Sequence, residues 1–144
     1  MSIKILVVDD HQIVRESIRA FLDTCANIEV IGEAANGQTG IKLAKTMLPD
    51  IVIMDLIMPD VDGIEATRQI MKENGHTKII GLSIHTDRRF VQEMLGAGAL
   101  GYLLKDCAFE ELDLAIKSVL DDKVYVSPSL NLPAGTGGAR KTGS

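Results

Sequence analysis

At 144 residues, with 46% hydrophobic and 24% charged positions, the chain has the size and composition of one soluble domain with a buried core. A net charge of −5 argues against its gripping a nucleic-acid backbone by itself, and an aromatic content of 3% requires an aliphatic core. The start Met-Ser-Ile-Lys has no signal-peptide pattern, no apolar stretch approaches membrane-spanning length, and Cys25 and Cys107 lack zinc-like spacing, so the expectation is a reduced, cytoplasmic protein with no membrane partner.

Short apolar runs alternate with helical patterns along the chain. Ile3 to Val8 is the first run, followed by Val14, Ile18, Phe21 and Leu22 on one helix face. Ile28 to Glu33 is the second, followed by Ile41, Ala44 and Leu48 on a helix stopped by Pro49. Ile51 to Met54 precedes a helix marked by Ile64, Thr67, Ile70 and Met71 and closed by Asn74-Gly75. Lys78 to Leu82 precedes Phe90, Val91, Met94 and Leu95, with Gly98 as the helix cap. Gly101 to Leu104 precedes Leu112, Ala115, Ile116 and Val119. Methionines at apolar positions, and both cysteines, read as core filler.

Five βα units with continuous apolar strands predict an α/β fold, a doubly wound five-stranded parallel sheet covered on both faces. The flavodoxin-like strand order 2-1-3-4-5 is the expected topology. The domain is expected over residues 1–122. Residues 123–144 read as an extension, Val124 to Pro128, and then a Gly-, Ala-, Thr- and Ser-rich stretch, Leu132 to Ser144, with the composition of a native linker or an added tail.

In that strand order Asp9 and Asp10 (after strand one), Asp55 (strand three), Ser83 (strand four) and Lys105 (strand five) all reach one rim of the sheet. Like charges gathered at a core's edge repel, so the acidic trio predicts a hard cation with oxygen ligands, Mg2+. Asp10 and Asp55 supply two ligands and Asp9 holds a metal-bound water. Asp55 keeps a free oxygen to attack phosphorus, Lys105 sets a cation beside the phosphoryl oxygens, and Ser83 donates a hydroxyl hydrogen bond.

The set Val-Val-Asp9-Asp10-His11, Asp55-Leu-Ile-Met-Pro59-Asp-Val-Asp-Gly63, Leu82-Ser83 and Gly101-Tyr102-Leu-Leu-Lys105-Asp106 resembles the receiver domain of bacterial two-component response regulators, over roughly residues 3–121. The Gly-Tyr-Leu-Leu-Lys-Asp run and the later Tyr-Val-Ser-Pro resemble the NarL/FixJ branch, whose members usually carry a C-terminal LuxR-type helix-turn-helix. The resemblance implies that Asp55 is the phospho-acceptor and that Asp10, Asp55 and the Ile57 backbone carbonyl bind Mg2+, with Asp9 acting through water. It implies that Ser83 swings toward the phosphoryl group, that Tyr102 turns inward behind it, and that the face of the fourth helix, fifth strand and fifth helix changes. It further implies a sensor histidine kinase as partner, a phosphorylation-dependent homodimer, and DNA contact only through an effector domain absent from this chain. The chain is then a signalling phospho-acceptor that catalyses its own modification rather than an enzyme acting on other substrates. Many receivers follow the lysine with a cis proline; Asp106 stands there instead, so no cis peptide is expected.

Blander readings stand beside these. Asp9 and Asp10 could cap the first helix, and Asp62-Gly63 reads as a turn and helix start, too far along the loop for the metal. Tyr102 could pack in an edge strand with a wet hydroxyl. His11 reads as a solvent-facing helix-start residue and His85 as a loop histidine. Rival functions are a stand-alone receiver acting on a protein partner, and a metal-dependent phosphatase with an Asp nucleophile, for which little chain is left to form a lid. A nucleotide-binding module lacks its Gly-rich turn after strand one.

Overall fold

The computed structural model describes residues 2–130, with only the backbone of residues 107, 108 and 129. The stretch 132–144 and the Cys107 side chain therefore lie outside the described residues. Strands β1 (Ile3–Val8), β2 (Ile28–Ala34), β3 (Ile51–Asp55), β4 (Lys78–Ser83) and β5 (Gly101–Leu104) alternate with helices α1 (Gln12–Asp23), α2 (Gly37–Met47), α3 (Gly63–Glu73), α4 (Arg88–Ala97) and α5 (Ala108–Leu120). A short 3-10 helix, Lys105–Cys107, links β5 to α5, and a further strand β6 (Tyr125–Val126) follows.

All strand pairs are parallel, in the order β2-β1-β3-β4-β5-β6. The expected order of the first five strands holds. These five form the core of the sheet as expected, and a short edge strand, β6, is added beside β5; its two residues are too few to create a hydrophobic period. The Tyr125 N–H donates to the Leu100 carbonyl at 2.8 Å, and the Ser127 N–H to that of Tyr102 at 2.9 Å.

Strand alternation sorts the core onto two faces. Leu6, Val8, Val52, Met54 and Tyr102 face one side with buried residues of α2, α3 and α4. Ile5, Val7, Ile51, Ile53 and Ile80 face the other with those of α1 and α5. Each face excludes water from branched aliphatic side chains worth roughly 1.5–3 kcal/mol apiece.

One local expectation needs correction. Leu48, expected on the buried face of α2, is its C-cap at φ 51° and ψ 58° and is 61% exposed. Pro49 disfavours the helical region for the residue before it, which turns Leu48 outward. Asn74 closes α3 as its C-cap, as expected, at φ −147° and ψ 90°, and its side chain donates to Thr77 Oγ1 at 2.7 Å. Gly98 caps α4 as expected, at φ +118°. Among the described residues there is no cis peptide bond, and no helix is long and apolar enough to cross a membrane.

Candidate functional site

Parallel strands deliver their carboxyl ends to one edge, so the residues that follow β1, β3, β4 and β5 share a rim. Oxygens of Asp9, Asp10 and Asp55 and a ring nitrogen of His11 lie within 4.8 Å of one another. Asp9 and Asp55 are buried, and Asp10 is partly open. The Lys105 Nζ stands 3.1 Å from Asp9 Oδ2 and 3.2 Å from Asp55 Oδ1, with 17% of its side chain exposed. A cavity of about 520 Å³ opens over this floor, lined by Asp10, His11, Val14, Asp55, Ile57, Ser83, Ile84, His85 and Lys105.

The local sequence explains each placement. Asp9 Oδ1 accepts the His11 N–H at 2.8 Å, a turn that starts α1, and the Arg15 guanidinium holds the Asp9 carbonyl at 2.6 Å. Arg15 is itself oriented by Glu33 of β2 at 3.1 Å. His11, and neither aspartate, occupies the N-cap of α1. Beyond β3 the chain folds back tightly: a Cβ at Gly63 would lie 2.1 Å from the Asp55 carbonyl oxygen and 2.8 Å from the Leu56 Cα. Only glycine fits there, which explains its place eight residues after Asp55. Asp62 caps α3 by accepting the Glu65 N–H at 2.8 Å, and so lies outside the acidic cluster.

The charges do not balance. One lysine faces three carboxylates, and Asp55 Oδ2 is buried without a hydrogen-bond partner. Asp9 Oδ2 also has no aligned hydrogen bond; Lys105 is near it only as an ion-pair partner. Burial, then the neighbouring Asp9 charge, raises the Asp55 pKa from 3.8 to about 6, against the opposing pull of Lys105. Burial alone would lower the Lys105 pKa, but Asp55 and Asp9 outweigh it and raise it. Orphaned carboxylate oxygens in a trio of hard donors fit a small divalent cation with oxygen preference.

Ser83 is buried at the end of β4, where its Oγ accepts the His85 N–H at 2.9 Å. Tyr102 is 0% exposed and its hydroxyl donates to the His85 carbonyl at 3.0 Å, so the edge-strand reading with a wet hydroxyl is wrong. Burial raises the Tyr102 pKa. The His85 ring packs on Phe90, centroids 4.8 Å apart. Ile57 is 53% exposed at the cavity wall. His11 is exposed, as expected, yet its Nδ1 lies 3.1 Å from both Asp9 Oδ1 and Asp10 Oδ1. Sequence reading missed that contact and the Arg15–Glu33 support of Asp9. The signal for the first was adjacency to the acidic pair; the second has none, since its partners lie eighteen residues apart.

Comparison with known proteins gives a consistent result. The family model described as "Response regulator receiver domain" matches residues 5–117. The chain is 40% identical over 128 residues to "Response regulator UvrY" of Escherichia coli, covering 89% of this chain and 59% of UvrY. It is 46% identical over 116 residues to "Transcriptional regulatory protein LiaR" of Bacillus subtilis, covering 81% of this chain and 55% of LiaR. Among solved structures, it is similar to a two-component response regulator of the LuxR family from Aurantimonas sp., with a TM-score of 0.86, 36% identity, and coverage of 90% of this chain and 93% of that one. The chain spans a little over half the length of these two curated relatives.

Proposed function

Because the chain belongs to the response regulator receiver family, on its NarL/FixJ side, we propose that it is the phospho-accepting switch of a two-component system, with Asp55 as the acceptor. The observation that carries this reading is Asp55 Oδ2, a carboxylate oxygen buried under an open cavity with no hydrogen-bond partner, beside the Lys105 ammonium.

Asp10, Asp55 and the Ile57 backbone carbonyl would hold Mg2+, with Asp9 acting through water. A bound Mg2+ supplies charge neutralisation at the phosphoryl oxygens and orients the transferring group. A carboxylate oxygen of Asp55 not engaged with the metal attacks phosphorus of the phosphohistidine of a sensor kinase; the new P–O bond forms as the P–N bond breaks, and the imidazole leaves with the electron pair. Lys105 balances charge on the phosphoryl oxygens, and Ser83 donates its hydroxyl to one of them. The His11 Nδ1 lies 3.1 Å from an oxygen of buried Asp9 and from one of Asp10, the latter at the cavity wall.

The product carries a charge near −2 where Asp55 carried −1. Ser83 follows the new group, and the Ser83–His85–Tyr102 chain of hydrogen bonds relays that motion to β5. The output is a shifted equilibrium between two surfaces, and near-complete conversion needs on the order of 5 kcal/mol in favour of the active one. Dimerisation and a DNA-binding effector are the outputs proposed; the effector reading is supported by the extra length of UvrY and LiaR.

Incubation with acetyl phosphate, read by intact mass, tests the proposal. Expected are one added phosphate with Mg2+, none without it, and none in Asp55→Asn. Phosphate on Asp55→Asn at the wild-type level would overturn it. Size measurement of the same samples tests the dimer.

A further inference from the structure

The Tyr125-Val126-Ser127-Pro128 run follows α5, and phosphoryl transfer gives no reason for it. Its backbone joins the sheet edge as β6, pairing Gly101 with Tyr125 and Tyr102 with Val126. Just past that strand Ser127 is 2% exposed, which is rare for a serine on a connecting segment. Its hydroxyl is used in both senses. It accepts the Leu104 N–H at 3.0 Å and donates to Glu111 Oε1, in the first turn of α5, at 2.8 Å. Its own N–H donates to the Tyr102 carbonyl.

Leu104 is the last residue of β5, and Lys105 comes next. On one side Leu104 is held by its pairing with Ser83 of β4. On the other side β6 has already ended, and the Ser127 hydroxyl takes the place of the missing strand carbonyl. Leu130 completes the seat by packing in the same buried cluster as Tyr102 and Leu104.

We propose that Ser127 is a positioning residue for Lys105, and that through it the segment following α5 senses whether Asp55 carries a phosphoryl group. The inference rests on the reading of Asp55 as phospho-acceptor. The Lys105 ammonium spans Asp9 and Asp55 at 3.1 and 3.2 Å, and the N–H held by the Ser127 hydroxyl belongs to the residue immediately before it, so Ser127 helps fix where that stem starts. Coupling is reciprocal: if seating Ser127 favours one placement of Lys105, then a phosphoryl group that pulls Lys105 changes the seating of Ser127.

The test is a double-mutant cycle on the full chain, read as the rate of phosphorylation by acetyl phosphate at saturating Mg2+, with thermal melting in parallel. Ser127→Ala is expected to slow the wild type about threefold to tenfold, and to leave the residual rate of Lys105→Ala unchanged. Equal slowing in both backgrounds, or none in the wild type, overturns the positioning role. A second measurement, amide exchange, needs no Ser127 variant. Beryllium fluoride with Mg2+ is expected to change the exchange rate of the Ser127 N–H about threefold or more in wild type and not in Asp55→Asn. An unchanged rate in wild type overturns the sensing role. A wild type that takes up no phosphate overturns the reading of Asp55 and the inference with it; the other failures overturn the inference alone.

Discussion

Gly63 lies against the backbone of Asp55 so closely that a methyl group there would fall 2.1 Å from the Asp55 carbonyl oxygen. The obstacle is main chain, which cannot rotate aside, and Gly63 also donates its N–H to the Leu56 carbonyl at 2.6 Å. Gly63→Ala is therefore expected to cost about 3 kcal/mol in urea unfolding, with a fall in Asp55 phosphorylation because the loop carrying Ile57 shifts.

Asp55 gives a pH signature. Its folded pKa of about 6 lies above the ordinary 3.8, so the metal-free fold is favoured below the lower value, where the carboxyl is neutral, and this advantage is lost as pH rises through about 6. Asp55→Asn keeps the shape without the charge. Its stability relative to wild type is expected to rise between pH 4 and 6, reaching on the order of 2 kcal/mol, and to fall back with saturating Mg2+. Urea midpoints at pH 4, 5, 6 and 7 check the sign; a gap that shrinks with rising pH contradicts it.

The same group competes with metal. With Asp55 as the proposed Mg2+ ligand, a proton on it would remove that ligand, so apparent Mg2+ affinity is expected to weaken steadily as pH falls below about 6. Calorimetric titration at several pH values, with proton release followed by buffers of different ionisation enthalpy, measures this.

How far these features could be read from the chain depends on whether they leave a local pattern. The buried strands do: Ile3 to Val8 and Gly101 to Leu104 are bounded in the structure as their apolar runs are in the sequence. The five polar groups at the rim follow directly, because parallel strands present the same end. Contacts between elements leave no such pattern. Nothing near Arg15 announces Glu33, and nothing in Tyr102 alone says that its hydroxyl reaches the His85 carbonyl seventeen residues back. β6 is too short to show a period, and Leu48 continues the helical spacing until Pro49 overrides it.

Tyr102→Phe removes a hydroxyl that is buried and bonded to the His85 carbonyl. The expected loss is about 1 kcal/mol, since one hydrogen bond disappears and the abandoned carbonyl lies on a loop. Faster amide exchange at His85, whose N–H bonds to Ser83 Oγ, would accompany it.

Ile57 presents an apolar, half-exposed side chain at the wall of the cavity. On the proposed reading, an apolar group there would give a water attacking the phosphoryl group no orienting partner. Ile57→Asn is expected to shorten the aspartyl-phosphate lifetime severalfold. Unchanged decay, followed by phosphate release, would remove this role for Ile57.

The chain contains no tryptophan and two tyrosines, Tyr102 and Tyr125. They sit one register step apart across the β5–β6 seam, one beneath the cavity and the other, its pKa pushed up to about 12 by burial and by Glu111, at the start of the outgoing segment. All tyrosine fluorescence of the molecule thus originates at that seam. The unlabelled protein would carry its own optical gauge of whether the seam is closed.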